Sequence, residues 1–338
     1  MRYVSIFSGV EAATLAWEPL GWEPVAFAEV DRFPSAVLAE RWPDVPNLGD
    51  VTEVDWVEKV GGPGSVDLVV GGSPCQSFSV AGRRDGLDGA SGLMWEWVRC
   101  VRELLPRWVV WENVPGALSS GHGEDFGCLL RSLDDLGYGV VWRVLDAQFF
   151  GVAQRRRRVF LVGRLGAEPP VEVLFEPEGL RRDYPTSKEK REALAARAGR
   201  GAEAAGFKFH QGARAGNIGF EYEQSPTCTA DWHNPAVLCM VDNNTNSALD
   251  LDMCVTLKVY GSAPLAARNM SVRRLTPREC ERLQGFPDNH TRIPWMGKPE
   301  DGCPDGPRYK AIGNSMAVPV MRWIGERIKL YDKEEDNG

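Results

Sequence analysis

Neither a membrane span, nor a disulfide framework, nor a zinc-ligand spacing is written into this chain. No apolar run approaches the roughly 18 to 20 residues a bilayer crossing requires. The N-terminal stretch Met1–Phe7 gives way to Gly9 and Glu11 too soon for a signal peptide. The eight cysteines are scattered without a C-x-x-C pair, and only four histidines accompany them. Disulfide-stapled and zinc-binding folds are thereby disfavoured. These absences predict a reduced, cytoplasmic protein with no structural metal and no membrane partner. Positive charge is also short overall, the formal net charge being −8. Averaged over the surface, that argues against a nucleic-acid partner, but local distribution matters more than the sum. Between Gly151 and Arg214 stand 14 Lys and Arg against 8 Asp and Glu, a basic middle that permits a phosphate-bearing partner.

What is present is a chain of 338 residues, long enough for one large domain and a smaller one. Up to about residue 165, short apolar strands alternate with helical stretches, the pattern of a mostly parallel sheet covered by helices on both faces. Strands are predicted at Arg2–Phe7, Pro24–Glu29, Val66–Val70, Trp108–Trp111, Gly139–Val144 and Val159–Val162. Helices are predicted at Ala12–Pro19, Phe33–Arg41, Leu93–Leu105 and Glu124–Leu136. Residues 165–272 are rich in Gly, Ala, Pro, Asn and Thr, with one helical stretch at Ser187–Ala198, and read as a smaller irregular domain. Order returns at Thr276-Pro277-Arg278-Glu279, which has the form of a capping box with proline at the first helical position. Gly285-Phe286-Pro287 stops that helix. Asn314-Ser315 reads as the start of a closing helix with Val318, Val320, Met321, Ile324 and Ile328 on one face.

Candidate chemistry gathers where strands end, because ligands of open α/β sheets bind beyond the carboxyl ends of the strands. Cys75 follows the apolar run Val66–Val70 and two glycines, a placement that suits a nucleophile. Phe7-Ser8-Gly9 is a tight turn between a strand and a helix, and it does not follow G-x-G-x-x-G, which disfavours a dinucleotide. Glu29 stands 20 residues after Gly9, placed to accept hydrogen bonds from ribose hydroxyls, and Asp50 can accept from an exocyclic amine. Together they point to an adenosine-bearing cofactor without a pyrophosphate. Glu112 ends the apolar run Val109–Trp111, where a carboxylate is costly to bury without a partner. Desolvation there would raise its pKa and suit it to protonate a heterocycle nitrogen. In the run Gln154–Arg158, strand geometry would put Gln154, Arg156 and Arg158 on one face.

In this order the segments resemble the DNA cytosine carbon-5 methyltransferase family, over roughly residues 1–165 and 272–325. Phe7-Ser8-Gly9 resembles the cofactor turn, Pro74-Cys75-Gln76 the nucleophile motif, Glu112-Asn113-Val114 the acid motif and Gln154–Arg158 the arginine motif. Arg274–Glu279 with Leu283–Pro287 resembles the segment bracing the recognition domain, and Tyr309–Ser315 the closing motif. Three positions depart from the family pattern: Ser5-Ile6-Phe7 stands where Asp-Leu-Phe is common, Glu11-Ala12-Ala13 replaces further glycines, and Val30 replaces a frequent Trp.

The resemblance implies a Rossmann-like S-adenosylmethionine-dependent α/β fold with a smaller target-recognition domain. The expected division is 1–180 for catalysis and cofactor, 181–300 for target recognition and 301–338 returning to the catalytic domain. It assigns Cys75, Glu112, Arg156 and Arg158 to catalysis. Phe7, Ser8, Gly9, Glu29, Asp50, Val51, Pro74, Asn314 and Ser315 would hold the cofactor, and Gln76, Ser79, Asn113, Gln154 and Thr227 the substrate. Ser77–Gly92 would form a closing lid hinged on Gly82, Gly86, Gly89 and Gly92, and Ser225–Ala230 the recognition-loop core. The implied partner of this monomer is double-stranded DNA, with a cognate restriction endonuclease as a further candidate. A tRNA-directed enzyme of the same chemistry and a non-catalytic DNA-binding relative remain the alternatives.

Overall fold

The computed structural model describes residues 1–74, 92–168, 170–176, 205–208, 220–221, 235–238, 265–268 and 271–335. Six strands make its main sheet: β1 (Arg2–Ile6), β2 (Glu23–Ala28), β3 (Leu68–Gly71), β4 (Trp108–Asn113), β5 (Tyr138–Asp146) and β6 (Arg157–Leu165). Their order is β2-β1-β3-β4-β6-β5. β1 runs parallel to β2 and β3, β3 parallel to β4, and β6 antiparallel to β4. The sheet is mixed and mostly parallel, as expected. Every residue of β3 and β4 is buried, as parallel strands sandwiched between helices require. Gly71 is obligatory at the end of β3, because a Cβ there would lie 2.7 Å from Ile6 Cγ1 and 2.9 Å from the Trp97 ring.

Helices α1 (Ala12–Trp17), α2 (Arg32–Arg41), α3 (Trp56–Lys59), α4 (Gly92–Leu104), α5 (Glu124–Asp135) and α6 (Val171–Leu174) belong to the same part of the chain. α4 buries Met94, Trp97, Val98, Val101 and Leu104, an i, i+3, i+4, i+7 stripe. That stripe joins Val4, Ile6, Val69, Val109 and Trp111 of the sheet in one core cluster. Expected and observed elements differ mainly at their ends. β5 and β6 each run for nine residues, longer than predicted, and β6 begins only at Arg157, so Gln154–Arg156 precede the strand.

By contact density the chain divides into two units: Met1–Leu145 with Arg157–Arg181 and Met321–Gly338, and Asp146–Arg156 with Arg182–Val320. In the second unit Ala205–Lys208 pairs antiparallel with Phe220–Glu221 and Pro235–Leu238, and Leu265–Arg268 pairs with Ser271–Arg274. Thr276 caps α7 (Pro277–Gln284) through the predicted capping box with Glu279, and Gly285 ends it at φ 80°. On α7, the buried Glu281 carboxylate accepts from Asn289 N at 2.7 Å, Thr291 N at 2.9 Å, Thr291 Oγ1 at 2.5 Å and Arg308 Nη2 at 3.2 Å. One charge thus organises the loop joining α7 to α8 (Asp305–Asn314).

The closing helix α9 spans Val318–Glu335, and its predicted apolar face is buried. Its start differs from the expectation. Asn314 is the last residue of α8 and Ser315 its C-cap, whereas α9 opens at Val318, where Pro319 in the first turn presets the helical φ. Among the described residues, no helix is long and apolar enough to cross a membrane.

Candidate active site

Parallel alignment of β1 to β4 places the residues after Ile6, Ala28, Gly71 and Asn113 along one edge of the sheet. The first group there is the turn after β1. Phe7, Gly9 and Glu11 all have positive φ, at 54°, 58° and 62°, so two non-glycine residues sit in a region that costs about 1–3 kcal/mol each. Ser8 Oγ donates to Ser5 O at 2.8 Å, and Gly9 N donates to Glu29 Oε2 at 2.8 Å. Glu29 Oε1 accepts from Asp31 N at 2.7 Å. Burial holds the Glu29 carboxyl above its usual pKa, against the lowering effect of those N–H groups. Asn47 fixes the backbone beside it, accepting from Glu29 N and donating to Glu29 O.

Glu11, read from sequence only as a missing glycine, is the buried acid of this turn. Its carboxylate accepts from Ser5 Oγ at 2.8 Å, Thr14 N at 3.0 Å and Thr14 Oγ1 at 3.1 Å, and burial raises its pKa to about 7. The N–H of Thr14 is therefore taken by the protein's own carboxylate, which leaves it closed to a phosphate. One buried acid, Glu11, a half-buried one, Glu29, beside the turn, and no lysine or arginine in Ile6–Glu11 suit a cationic nucleoside with free ribose hydroxyls better than a dinucleotide.

Asp50 caps its own loop, its Oδ1 accepting from Thr52 N and Thr52 Oγ1. Val51 is 4% exposed and packs in the core. The carbonyls of Val51 and Val54 accept from Arg99 of α4 at 2.6 and 2.9 Å. Arg99 was not singled out from sequence, since its spacing from Glu96 and Glu103 describes an ordinary solvated helix face.

The second group lies at the end of β4. Glu112 is 8% exposed, and its Oε1 is 3.1 Å from Arg158 Nε on the adjacent antiparallel β6. The partner demanded by burying this carboxylate is thus Arg158. Next to it Asn113 donates through Nδ2 to Ser73 O at 3.0 Å and Ser73 Oγ at 3.2 Å, and Trp111 Nε1 donates to Ser73 Oγ at 3.3 Å. β4 therefore clamps the residue before exposed Pro74, and Asn113, assigned to substrate, uses its amide on the backbone that leads to position 75. Cys75, Gln76, Ser79, Thr227, the segments Ser77–Ser91 and Ser225–Ala230 and the stretch Ser187–Ala198 lie outside the described residues.

In the second unit, Gln154 and Arg156 are buried at 0% and 2% exposure; Arg157, the first residue of β6, is exposed. The alternation expected of a strand is present before the strand begins. Arg156 N donates to Asp146 Oδ1 at 2.9 Å, and its Nη2 donates to Gly313 O at 3.1 Å and Ser315 O at 2.7 Å. Its guanidinium thus fastens the end of α8. Asn314 and Ser315 were expected at a helix start; they stand at a helix end instead, and no first-turn N–H group of a new helix falls to them.

Comparison with known proteins follows the same lines. The family model described as C-5 cytosine-specific DNA methylase matches residues 1–330. A protein of Escherichia phage P1 named DNA N-6-adenine-methyltransferase is 36% identical over 96% of this chain, which spans 61% of that protein's length. The Type II methyltransferase M2.BsuMI of Bacillus subtilis is 30% identical over 97% of this chain and 75% of its own. Among solved structures, a putative DNA modification methyltransferase encoded within an E. coli prophage superposes with a TM-score of 0.61 at 18% identity, over 98% of this chain and 99% of its own. That likeness establishes the methyltransferase fold.

Proposed function

This chain belongs to the C-5 cytosine-specific DNA methylase family, and from that premise we propose that it methylates carbon 5 of a cytosine flipped out of a specific duplex DNA sequence. The observation that carries the reading is the pair Glu112–Arg158 at 3.1 Å, set beside the Asn113–Ser73 clamp on the strand end that leads to Cys75. S-adenosylmethionine, when bound, supplies an electrophilic methyl group. Phe7, Ser8, Gly9, Glu29 and Asp50 would hold its nucleoside part, with Pro74 beside them.

The chain's own residues do the rest. Cytosine carbon 5 is too weak a nucleophile to accept a methyl group unaided. The Cys75 thiolate adds to carbon 6, and the ring's 5,6 electron pair becomes available at carbon 5. Glu112 hydrogen-bonds and protonates ring nitrogen 3 as that charge develops, and Arg158 orients Glu112 and faces the 2-oxo edge. The bond from carbon 5 to the methyl group forms as the methyl's bond to the donor sulfur breaks. Water then takes the carbon-5 proton, the 5,6 double bond re-forms as the Cys75 thiolate leaves carbon 6, and the nitrogen-3 proton returns to Glu112. The base reaches the pocket only by leaving the stack. Residues 181–300 would choose the sequence, and the protein would act in the cytoplasm, alone or beside a cognate endonuclease.

Trapping on duplex DNA that carries 5-fluorocytosine tests the reading, since fluorine at carbon 5 blocks the final elimination. Wild-type protein with S-adenosylmethionine should form an adduct stable to denaturant, and Cys75→Ser should form none. A folded wild type that never forms the adduct on DNA, or forms it only on tRNA, removes the proposal. The phage P1 relative's name points to an adenine amine, a reaction that needs no thiol addition. Nucleoside analysis of DNA from expressing cells separates the two, with 5-methylcytosine expected and N6-methyladenine the overturning product.

A further inference from the structure

The turn after β1 combines three positive-φ residues with a buried acid that neither composition nor the reaction requires. Left to itself, such a backbone would relax, because Phe7 and Glu11 both occupy the left-handed region at 54° and 62°. Something must hold it, and the bonds converge on Glu11. From the first residue of the turn's helical side, its carboxylate reaches back to Ser5 Oγ on β1 and forward to Thr14 N and Thr14 Oγ1 on α1. Thr14 Oγ1 is in turn 2.6 Å from Tyr3 Oη on β1, and Glu11 N donates to Ser8 O at 3.0 Å. Glu11 is 1% exposed, and Thr14 and Ser5 are 2% and 3% exposed. Strand and helix are thus stitched together through one side chain, with Phe7–Val10 as the stretched segment between the stitches. Gly9 N, inside that segment, meets Glu29.

We propose that Glu11 is the positioning residue of the cofactor turn, holding Phe7–Val10 in the strained conformation that receives the nucleoside part of the methyl donor. The inference rests on the reading that this turn binds S-adenosylmethionine. Glu11 itself faces Ser5 and Thr14 and touches no ligand. A carboxylate does here what a further glycine does in other members: glycine makes the turn cheap, whereas Glu11 makes it rigid. Removing the side chain while allowing positive φ, as in Glu11→Gly, should leave a folded protein with a loosened turn. Glu11→Gln keeps an acceptor for Thr14 N and should restore the turn.

Calorimetric titration with S-adenosylmethionine in the absence of DNA, alongside thermal melting, provides the test. Glu11→Gly should bind about tenfold or more weakly, and Glu11→Gln within about threefold of wild type. In methylation assays with Glu11→Gly, KM for the cofactor should rise while KM for DNA stays put. Wild-type affinity in a folded Glu11→Gly overturns the proposal, and so does a Glu11→Gln variant as weak as Glu11→Gly, because the carboxylate would then act by charge alone. Should Glu11→Gly fail to fold, Ser5→Ala removes one stitch without touching the backbone. Weaker binding with unchanged melting then supports the role, and wild-type binding overturns it. A wild type that binds no S-adenosylmethionine overturns the functional reading instead.

Discussion

At the scale of single residues, two buried carboxylates carry opposite demands. Glu112 has its cation, Arg158, at 3.1 Å with both side chains nearly enclosed. Removing Arg158 leaves a buried charge uncompensated, and Arg158→Ala should cost about 3 kcal/mol of unfolding free energy in urea titration. Glu112→Gln should lower turnover about a hundredfold or more, with S-adenosylmethionine affinity unchanged, because the turn after β1 is built without it. A parallel loss of cofactor affinity would show that Glu112 belongs to a different site.

Among the described residues, none forms an ion pair with Glu11. In the unfolded chain its carboxyl loses its proton near pH 4.3, whereas in the fold it keeps it to about pH 7, chiefly through burial, with the Glu29 carboxylate adding to the rise. The folded state binds more protons across that interval, so stability falls as pH climbs through it and levels off above. Relative to Glu11→Gln, wild type should therefore lose up to about 3 kcal/mol between pH 5 and pH 8. Equal pH slopes for the two in chemical denaturation would remove the claim.

Among the elements, the closing helix is the most tightly specified. Trp17 Nε1 donates to Met321 O at 2.7 Å and Lys329 Nζ to Leu20 O at 2.6 Å, and Arg327 donates to the carbonyls of Glu172, Val173 and Phe175. Gly325 lies flat against the Trp17 indole, where a Cβ would collide with the ring. Gly→Ala inside an exposed helix gains about 1 kcal/mol. Here Gly325→Ala should instead lose about 2 kcal/mol through overpacking, read from the urea midpoint at unchanged m-value.

The apolar face of that helix was legible in Val318, Val320, Met321, Ile324 and Ile328, because periodicity records burial directly. Its start was not, because Asn and Ser favour both helix starts and the turns that follow helices, and the proline four residues beyond Ser315 decided the matter. The same contrast runs through the site. Glu112, Glu29 and Gly9 were readable because each ends or follows an apolar run. Asn47 and Arg99 were not, because a residue that braces a backbone carbonyl from another element leaves no local periodicity. Glu11 was visible only as a departure, its bonds to Ser5 and Thr14 being a matter of the turn's geometry.

On the scale of the whole molecule, net charge and proposed partner conflict, since a chain of net charge −8 is assigned to a polyanion. Local basic residues must then carry the encounter. Raising salt from about 50 to 200 mM should weaken DNA binding by at least about tenfold through counterion release, as followed by fluorescence anisotropy. Affinity indifferent to salt would mean that the basic middle of the chain contributes nothing to binding.

Glu281 sets a rule for recombining this protein with its relatives. Four donors from Asn289, Thr291 and Arg308 end on that single carboxylate, so the stretch from 281 to 308 has to be moved as one piece. Chimeras spliced upstream of Thr276 keep the knot in one parent and should express as folded protein. A junction placed between 281 and 308 mixes lineages around one buried acid, and its progeny should precipitate unless both parents happen to supply the same donors.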